Sequence, residues 1–486
     1  MNSPLKPDGG VLRLIPEDFA KRHLVLPLRR SGRSLTVAMA DPADTALVDD
    51  LHFLTQFEIE AVAVEERTLL QLIDKNYGAA SEPESKSREN GAGAARTEVD
   101  DEPAVRLIND IFTDAVRRGA SDIHVEPYEG ELRVRYRLDG ILREMMRPPP
   151  SMAAALTSRL KILADLNIAE RRIPQDGRIK IRLGDRVIDF RVSTLPTLFG
   201  ERIALRILDK ERLALDLESF GMEARAERVL LRAIADTTGM VLVTGPTGSG
   251  KTTTLYSALV RLNTPEVNIM TAEDPVEYSL PGINQVQVRP KIGLTFASTL
   301  RAFLRQDPNI VMVGEIRDRE TGDIAVKAAL TGHLVLSTLH TNDAATTTTR
   351  LVDMGIEAFN LAAALRAITA QRLVRRICRR CRTEADYPAE VLRSLGLEAG
   401  TGAAWVFSRG AGCDACGGSG YAGRQGLYEV LPMSPAIRRL VLAGASGEEI
   451  ERRAVAEGMV TLREDGLLKA REGIVTLDEV LRETPA

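Results

Sequence analysis

Residues Gly245 to Thr252, "GPTGSGKT", set three glycines, a lysine and a threonine at the spacing G-x-x-x-x-G-K-[ST]. The chemistry that this spacing serves is phosphate binding. Glycine at 245, 248 and 250 lets the backbone bend closely around an anion with no Cβ in the way. The loop amides and the N-terminus of a following helix then direct positive dipole at it. Lys251 would reach the β- and γ-phosphates, and the Thr252 hydroxyl would ligate Mg²⁺. Pro246, Thr247, Ser249 and Thr253 complete the candidate loop. An apolar stretch, "MVLVTG", precedes it and a helical pattern follows, the context that separates a phosphate loop from a glycine-rich turn. "TTT" at 252–254 opens a helix poorly by propensity, a preference that a site needing hydroxyls overrides.

A nucleotide site also needs an acid to hold Mg²⁺ or orient water. Two apolar runs end in acids: "NIVMVGEIRD" in Glu315 and Asp318, "NIMTAEDPVEY" in Glu273, Asp274 and Glu277. A single such acid is ordinarily a solvated loop carboxylate. Two sets, each directly after a buried-type strand downstream of the phosphate loop, point to the ligand crevice at the carboxyl ends of an α/β sheet. "TGHLVLSTLHTND" adds His333 and His340. Strand alternation puts His333 on the face of Ser337, so the two histidines need not converge, and His340 is the one placed to approach a γ-phosphate.

All four cysteines lie in two C-x-x-C units, Cys378/Cys381 and Cys413/Cys416, with thirty-one residues between them. A redox couple needs only one such unit. Two fit the logic of a closed tetrahedral Cys₄ zinc site, where each knuckle supplies two thiolates. Gly412, Gly417 and Gly418 allow the tight turns a knuckle needs. A metal of this kind supplies about 10–16 kcal/mol of apparent folding energy, enough for an excursion whose own core is thin.

Several kinds of element must position these residues. Residues 1–78 form a small N-terminal domain, with a strand in "SLTVAMADP" and amphipathic helices in "DTALVDDLHFLTQ" and "ERTLLQLIDKNYG". Residues 79–102 are polar, acidic and aperiodic, the composition of a flexible linker. Over 103–213, "ELRVRYRLDGILREMM" and "RIKIRLGDRVIDFRVST" alternate about Asp-Gly and Gly-Asp turns around one helical segment, which predicts an α+β domain. Over 218–372, short apolar strands alternate with helices, which predicts a parallel sheet covered on both faces. The cysteine module follows at 373–425. A helical region closes the chain at 426–486, with a capping box at Ser446 and Glu449.

The bulk numbers allow about three domains in 486 residues, with 44% hydrophobic and 27% charged residues as in an ordinary globular protein. A net charge of −4 argues against a protein that coats nucleic acid. No leader opens the sequence and no apolar run is long enough to span a bilayer, so a cytoplasmic protein with reduced thiols is expected.

With these strings together, the chain resembles the secretion ATPases of type II secretion and type IV pilus assembly. The resemblance runs over most of the chain: "GPTGSGKTTTLY", "TAEDPVEY", "GEIRDRETGDIA", "TGHLVLSTLHTNDA", "SDIHVEP", "RYRLDG", "IPQDGR" and "GRQGLYEV". Within the family, the short N-terminal region and the cysteine module look most like the type II secretion branch. Type IV pilus assembly ATPases, which share the cysteines, are the alternative. The resemblance implies an α/β chain with a RecA-like P-loop NTPase domain. A PAS-like α+β domain and a small N-terminal adaptor domain precede it, and a Cys₄ zinc module is inserted toward the C-terminus. It implies ATP hydrolysis with Mg²⁺ by a homohexamer, peripheral at the inner membrane, that powers pseudopilus assembly and protein export. Residues 1–78 would dock on the cytoplasmic domain of general secretion pathway protein L, and the polytopic platform protein is a further implied partner.

Residue by residue, the resemblance makes Glu315 the catalytic acid that polarises water. It puts Glu273 and Asp274 in an acidic box near Mg²⁺, and His333 and His340 in a histidine box that senses the γ-phosphate. Arg191 ("DFRVST") and Arg206 ("IALRIL") match arginines that reach nucleotide from the strand-rich domain, and Arg301 and Arg305 ("LRAFLRQDP") match arginines of the ATPase domain. These last two are expected four residues apart on one helix. A nucleic-acid motor is the rival class, carried by the basic "QRLVRRICRRCR". Aromatic residues are not interleaved there for base stacking, so no specific nucleic-acid partner is expected.

Overall fold

In a computed structural model, the described residues are 7–8, 102–209, 215–395, 397 and 405–484, together with 11–77 apart from 16–18, 21–22, 33, 43–46, 49–50, 53–54 and 56. The linker expected over 79–102 lies outside them except at its last residue, as does most of the helix expected over 44–56. The chain divides into two compact units, residues 1–95 and 96–486.

In the first unit, β1 (Val25–Ser31), β2 (Ser34–Met39) and β3 (Glu58–Ala63) form a sheet in that order, its first pair antiparallel and its second parallel. Helix α1 (Glu66–Tyr77) follows. Alternation along β2 sends Leu35, Val37 and Met39 into one small core with Ile15, and Ala38 into another with Leu69 and Ile73 of α1.

The second unit opens with α2 (Glu102–Arg118), then β4 (Asp122–Tyr128), β5 (Glu131–Leu138) and β6 (Ile141–Met146). Helix α3 (Ala153–Leu163) leads to β7 (Gln175–Leu183), β8 (Arg186–Thr197) and β9 (Gly200–Asp209). The strands make one antiparallel sheet in the order β6-β5-β4-β9-β8-β7. Asp139 and Gly140, both at positive φ (49° and 87°), close the β5–β6 hairpin that the sequence predicts. One sheet face packs on α2 and α3, where Phe112 stacks on Phe190 at 4.6 Å and the Tyr136 hydroxyl donates to Ile111 O at 3.0 Å. Period two therefore leaves the arginines of β5 and β9, and Arg191 of β8, on the opposite face.

The ATPase-like half begins with α4 (Ala224–Ala235), β10 (Gly239–Thr244), α5 (Lys251–Leu262), β11 (Ile269–Glu273) and β12 (Asn284–Gln287). It continues through α6 (Phe296–Phe303), β13 (Ile310–Val313), α7 (Arg319–Leu330), β14 (Leu334–Leu339), α8 (Ala344–Asp353) and α9 (Ala358–Ala364). Then come β15 (Leu365–Ile377), β16 (Arg382–Ala385), α10 (Ala389–Ser394), β17 (Phe407–Gly410) and β18 (Tyr421–Pro432). Helices α11 (Pro435–Leu442), α12 (Gly447–Ala456), α13 (Leu462–Arg471) and α14 (Leu477–Glu483) end it. The capping box expected at Ser446 and Glu449 opens α12.

The central sheet has the order β12-β11-β13-β14-β10-β15-β18. Every residue of β10, β13 and β14 is buried, because helices cover both faces. Met240 and Leu242 face one core, Val241 and Val243 the other. The expectation of a parallel sheet holds up to β15, but β18 pairs antiparallel to it at the edge. The module boundaries expected at 372/373 and 425/426 thus fall inside β15 and β18, and the cysteine segment is an excursion between two paired strands of the main sheet. That excursion also shares a core with the C-terminal helices, Phe407 and Leu397 packing in one cluster with Val475 and Leu477, rather than standing off on a thin core of its own.

Candidate nucleotide site and cysteine cluster

The central strands deliver their chemistry at one edge. β10 ends at Thr244 and runs into the glycine loop, β11 ends at Glu273, β13 ends two residues before Glu315, and β14 ends one before His340. All are carboxyl ends of parallel strands. Between them lies a cavity of about 470 Å³, lined by residues 247–253, Glu273, Asp274, Glu315, Arg317, His340 and Arg206.

The loop takes its shape from its glycines. Gly245, Gly248 and Gly250 have φ of 144°, 82° and 90°, values that L side chains rarely adopt. Gly250 caps α5, so the helix N-terminus opens on the cavity. The Lys251 ammonium folds back onto Gly245 O (2.7 Å) and Pro246 O (3.1 Å). Burial pushes its pKa down to about 8, against the pull of Glu315 and with the help of Arg372.

The two acid sets differ in kind. Glu273 is buried and accepts from Tyr256 OH, from Thr271 Oγ1 (2.5 Å) and from Gln285 Nε2 (3.0 Å). Burial beside Glu273 holds the Tyr256 hydroxyl far above its ordinary pKa, so it stays a donor. Glu315 instead meets charge: Arg317 Nη2 lies 2.5 Å from one oxygen and His340 Nε2 3.5 Å from the other. Asp318 lies outside the cavity lining and caps α7 through Thr321 N (2.8 Å).

The arginines of the strand-rich half reach the same edge. Arg191 on β8 and Arg206 on β9 are direct cross-strand partners on the charged face. Arg206 lines the cavity and pairs with Asp122 at 3.4 Å. Arg191 is engaged by the acidic box, with Nη1 2.9 Å from Glu277 and Nη2 donating to Val276 O at 2.6 Å. Beside these contacts, Gly423 N donates to Asp139 at 3.0 Å, tying the β5–β6 turn to the start of β18.

His333, Arg301 and Arg305 lie away from the cavity, and Arg191 meets the acidic box without lining it. His333 precedes β14 at the amino end, opposite His340, and its ring bonds Ala328 O at 2.9 Å. Arg301 pairs with Glu320 at 2.5 Å on the surface, and Arg305 donates to Arg301 O at 2.9 Å. The helix carrying them stops at Phe303, so Arg305 lies beyond it and the two do not form an i,i+4 pair within one helix. Conversely, Tyr256, Arg317 and Gln371 contact the site without being predicted by the sequence. For Gln371 the signal was available, since a buried amide interrupts the apolar run "AITAQRLV".

The four cysteines converge at the end of the β15–β18 ladder. Cys378 Sγ lies 3.9 Å from Cys413, Cys381 lies 3.9 Å from Cys416, and Cys413 lies 3.7 Å from Cys416. A disulfide needs about 2.05 Å. Four thiolates about 2.3 Å from one zinc ion stand about 3.8 Å apart in a tetrahedron, so the cluster fits that metal. All four ligand atoms lie within 4.8 Å of one another, the one such group of three or more among the described residues. Burial pushes the Cys381 thiol up to about 12. At Cys416 burial opposes the charge, but amides of Cys413 and Gly420 aimed at the sulfur bring it down to about 6.

A family model described as "Type II/IV secretion system protein" matches residues 97–482, and a second, "MshEN domain", matches 3–83, the stretch read above as an adaptor. The type IV pilus assembly ATPase PilB of Myxococcus xanthus is 49% identical over 99% of this chain and 87% of its own length. PilB of Pseudomonas aeruginosa is 46% identical over 97% of this chain and 85% of its own. Type II secretion system protein E of Dickeya dadantii is 52% identical over 79% of this chain and 76% of its own. Among solved structures, the pilus retraction motor PilT with bound ADP superposes with a TM-score of 0.53 at 27% identity, covering 78% of this chain and 97% of that one. The ATPase DotB of Yersinia pseudotuberculosis gives 0.59 at 21% identity over 82% and 97%. The shared fold is the RecA-like parallel-sheet ATPase fold; the four-cysteine cluster near the C-terminus is described for this chain.

Proposed function

The chain belongs to the type II/IV secretion system protein family, and on that premise we propose that it is an ATP-hydrolysing motor that assembles a type IV pilus. The observation that carries the enzymatic part is the single cavity gathering the phosphate loop, two acidic strand ends, His340 and Arg206. ATP would lay its β- and γ-phosphates on the backbone N–H groups of 247–252 and on Lys251. Mg²⁺ would be held through Thr252 beside Asp274 and would neutralise phosphate charge. A water oxygen then bonds the γ-phosphorus as the bond to the bridging oxygen breaks, and its proton passes to Glu315. The released products are ADP and phosphate. Arg206 and Arg191 would offset the growing charge, a role worth about 10³–10⁵ in rate elsewhere. Arg191 must first exchange Glu277 for phosphate.

The pilus branch replaces the secretion branch as the first reading because of the N-terminal unit. Pilus relatives match 97–99% of the chain, including that unit, whereas the secretion relatives match 79%. Under the second reading, export through type II secretion, residues 1–78 would dock on general secretion pathway protein L. In either case we read the protein as a homohexamer at the cytoplasmic face of the inner membrane, engaging a polytopic platform protein, with one structural Zn²⁺ on Cys378, Cys381, Cys413 and Cys416. No helix among the described residues is long and apolar enough to cross a membrane. Deleting the gene in the source organism and scoring surface pili and exported proteins separates the branches. Lost pili with intact export is the expected outcome; intact pili with lost export favours the second reading.

A further inference from the structure

β15 runs beside β10, and its Gln371 is 2% exposed. The side-chain amide donates from Nε2 to Ser249 O (2.6 Å), and its Oε1 accepts from Thr254 Oγ1 (2.7 Å). One amide thus grips the phosphate loop on one side of Lys251 and the first turn of α5 on the other. An amide is the side-chain group that can both donate and accept here; a thioether of the same length cannot donate and accepts only weakly. The loop is shaped around this grip. A Cβ at Gly250 would stand 2.7 Å from Gln371 Nε2, and one at Gly245 only 2.4 Å from Gln371 O. The backbone of β15 therefore requires glycine at 245, and a side chain at 250 would displace the Gln371 amide from its grip. The next residue, Arg372, donates to Asn342 O at 2.8 Å and so ties the segment after His340 to the same strand.

We propose that Gln371 is a positioning residue of the phosphate site, holding residues 249–254 in their anion-binding conformation before nucleotide arrives. A loop fixed in advance leaves less ordering cost to be met from the binding energy. Because that cost falls on ground and transition states alike, losing the grip raises KM and leaves kcat nearly unchanged. The inference rests on the ATPase reading above.

The test uses the full-length protein, a fluorescent ATP analogue for equilibrium binding, and steady-state phosphate release. Gln371→Met keeps length and volume but removes the donor to Ser249 O and leaves only a weak acceptor for the Thr254 hydroxyl. It is expected to raise Kd and KM about tenfold with kcat within about threefold, and with the melting temperature of the nucleotide-free protein little changed. A purely structural role predicts the reverse: a lower melting temperature and an unchanged Kd for the folded protein. Wild-type affinity in Gln371→Met overturns the proposal. If that variant fails to fold, Thr254→Val removes one of the two bonds; about threefold weaker binding supports the grip and an unchanged Kd overturns it. A wild-type chain that binds no nucleotide defeats the ATPase reading, and the proposal with it.

Discussion

Lys251 and Glu315 sit in the same cavity with opposite needs. Burial in the glycine loop lowers the Lys251 pKa to about 8, so the unliganded ammonium is mostly charged below that pH and loses its proton above it. Phosphate favours the charged form. Binding above pH 8 must therefore take up a proton, and affinity falls as pH rises. The Kd for ATP is expected to rise up to about eightfold between pH 7.5 and 9, with no such slope in Lys251→Met. Titrations at four pH values check this, and a pH-independent wild-type Kd contradicts it. Glu273 belongs to a different task from Glu315. Its oxygens are occupied by three neutral donors, which makes it a brace for the acidic-box loop, whereas Glu315 faces Arg317 and His340 in a polar pocket.

At the scale of elements, β15 and β18 connect the two chemical centres. β15 carries Gln371 at the phosphate loop and ends one residue before Cys378, and β18 begins five residues after Cys416. The cysteine excursion is fastened to the C-terminal helices by Tyr387 OH to Asp478 (3.1 Å) and by the Arg375–Glu479 pair (2.6 Å) beneath it. Trp405, the chain's single tryptophan, lies in this module against Phe407 at 5.9 Å. Cys416→Ser is expected to lose the single bound zinc, shift Trp405 emission to the red and lower the melting temperature. A folded variant with wild-type emission and metal content contradicts the zinc assignment.

The same strands mark the limit of what the sequence disclosed. The strands β10, β11, β13 and β14 were legible because each is a short apolar run buried on both faces. With them came the loop, Glu273, Glu315 and His340, all at carboxyl ends. β15 and β18 were not legible, since arginines, a glutamine and glycines break their apolar pattern at the sheet edge. Hence the sequence predicts a separate cysteine module over 373–425, where the structure has an excursion between two paired strands of one sheet. The resemblance puts His333 with His340 in one histidine box, whereas six strand residues, about 20 Å of extended chain, run between them, as strand alternation implies. Gln371 escaped because its partners, Ser249 and Thr254, lie more than a hundred residues away.

For the molecule as a whole, Arg301 and Arg305 lie on the surface, away from this chain's own cavity. In a ring they are available to a neighbouring copy's nucleotide. A monomeric preparation is then expected to hydrolyse ATP at least about tenfold more slowly than the oligomer. Equal rates per chain at concentrations on both sides of assembly contradict this. The polar contacts between the strand-rich half and the parallel-sheet half include Arg191 with Glu277 and Val276 O of the acidic box and Gly423 N with Asp139. The proposed function requires that this cavity hydrolyse ATP with Glu315 taking the proton from water. The most direct measurement is phosphate release by the full-length wild type and Glu315→Gln under saturating Mg²⁺ and ATP, with nucleotide binding measured in parallel. The expected result is a kcat at least about 10²-fold lower in the variant with ATP still bound. A variant that binds ATP and hydrolyses it at the wild-type rate contradicts the claim.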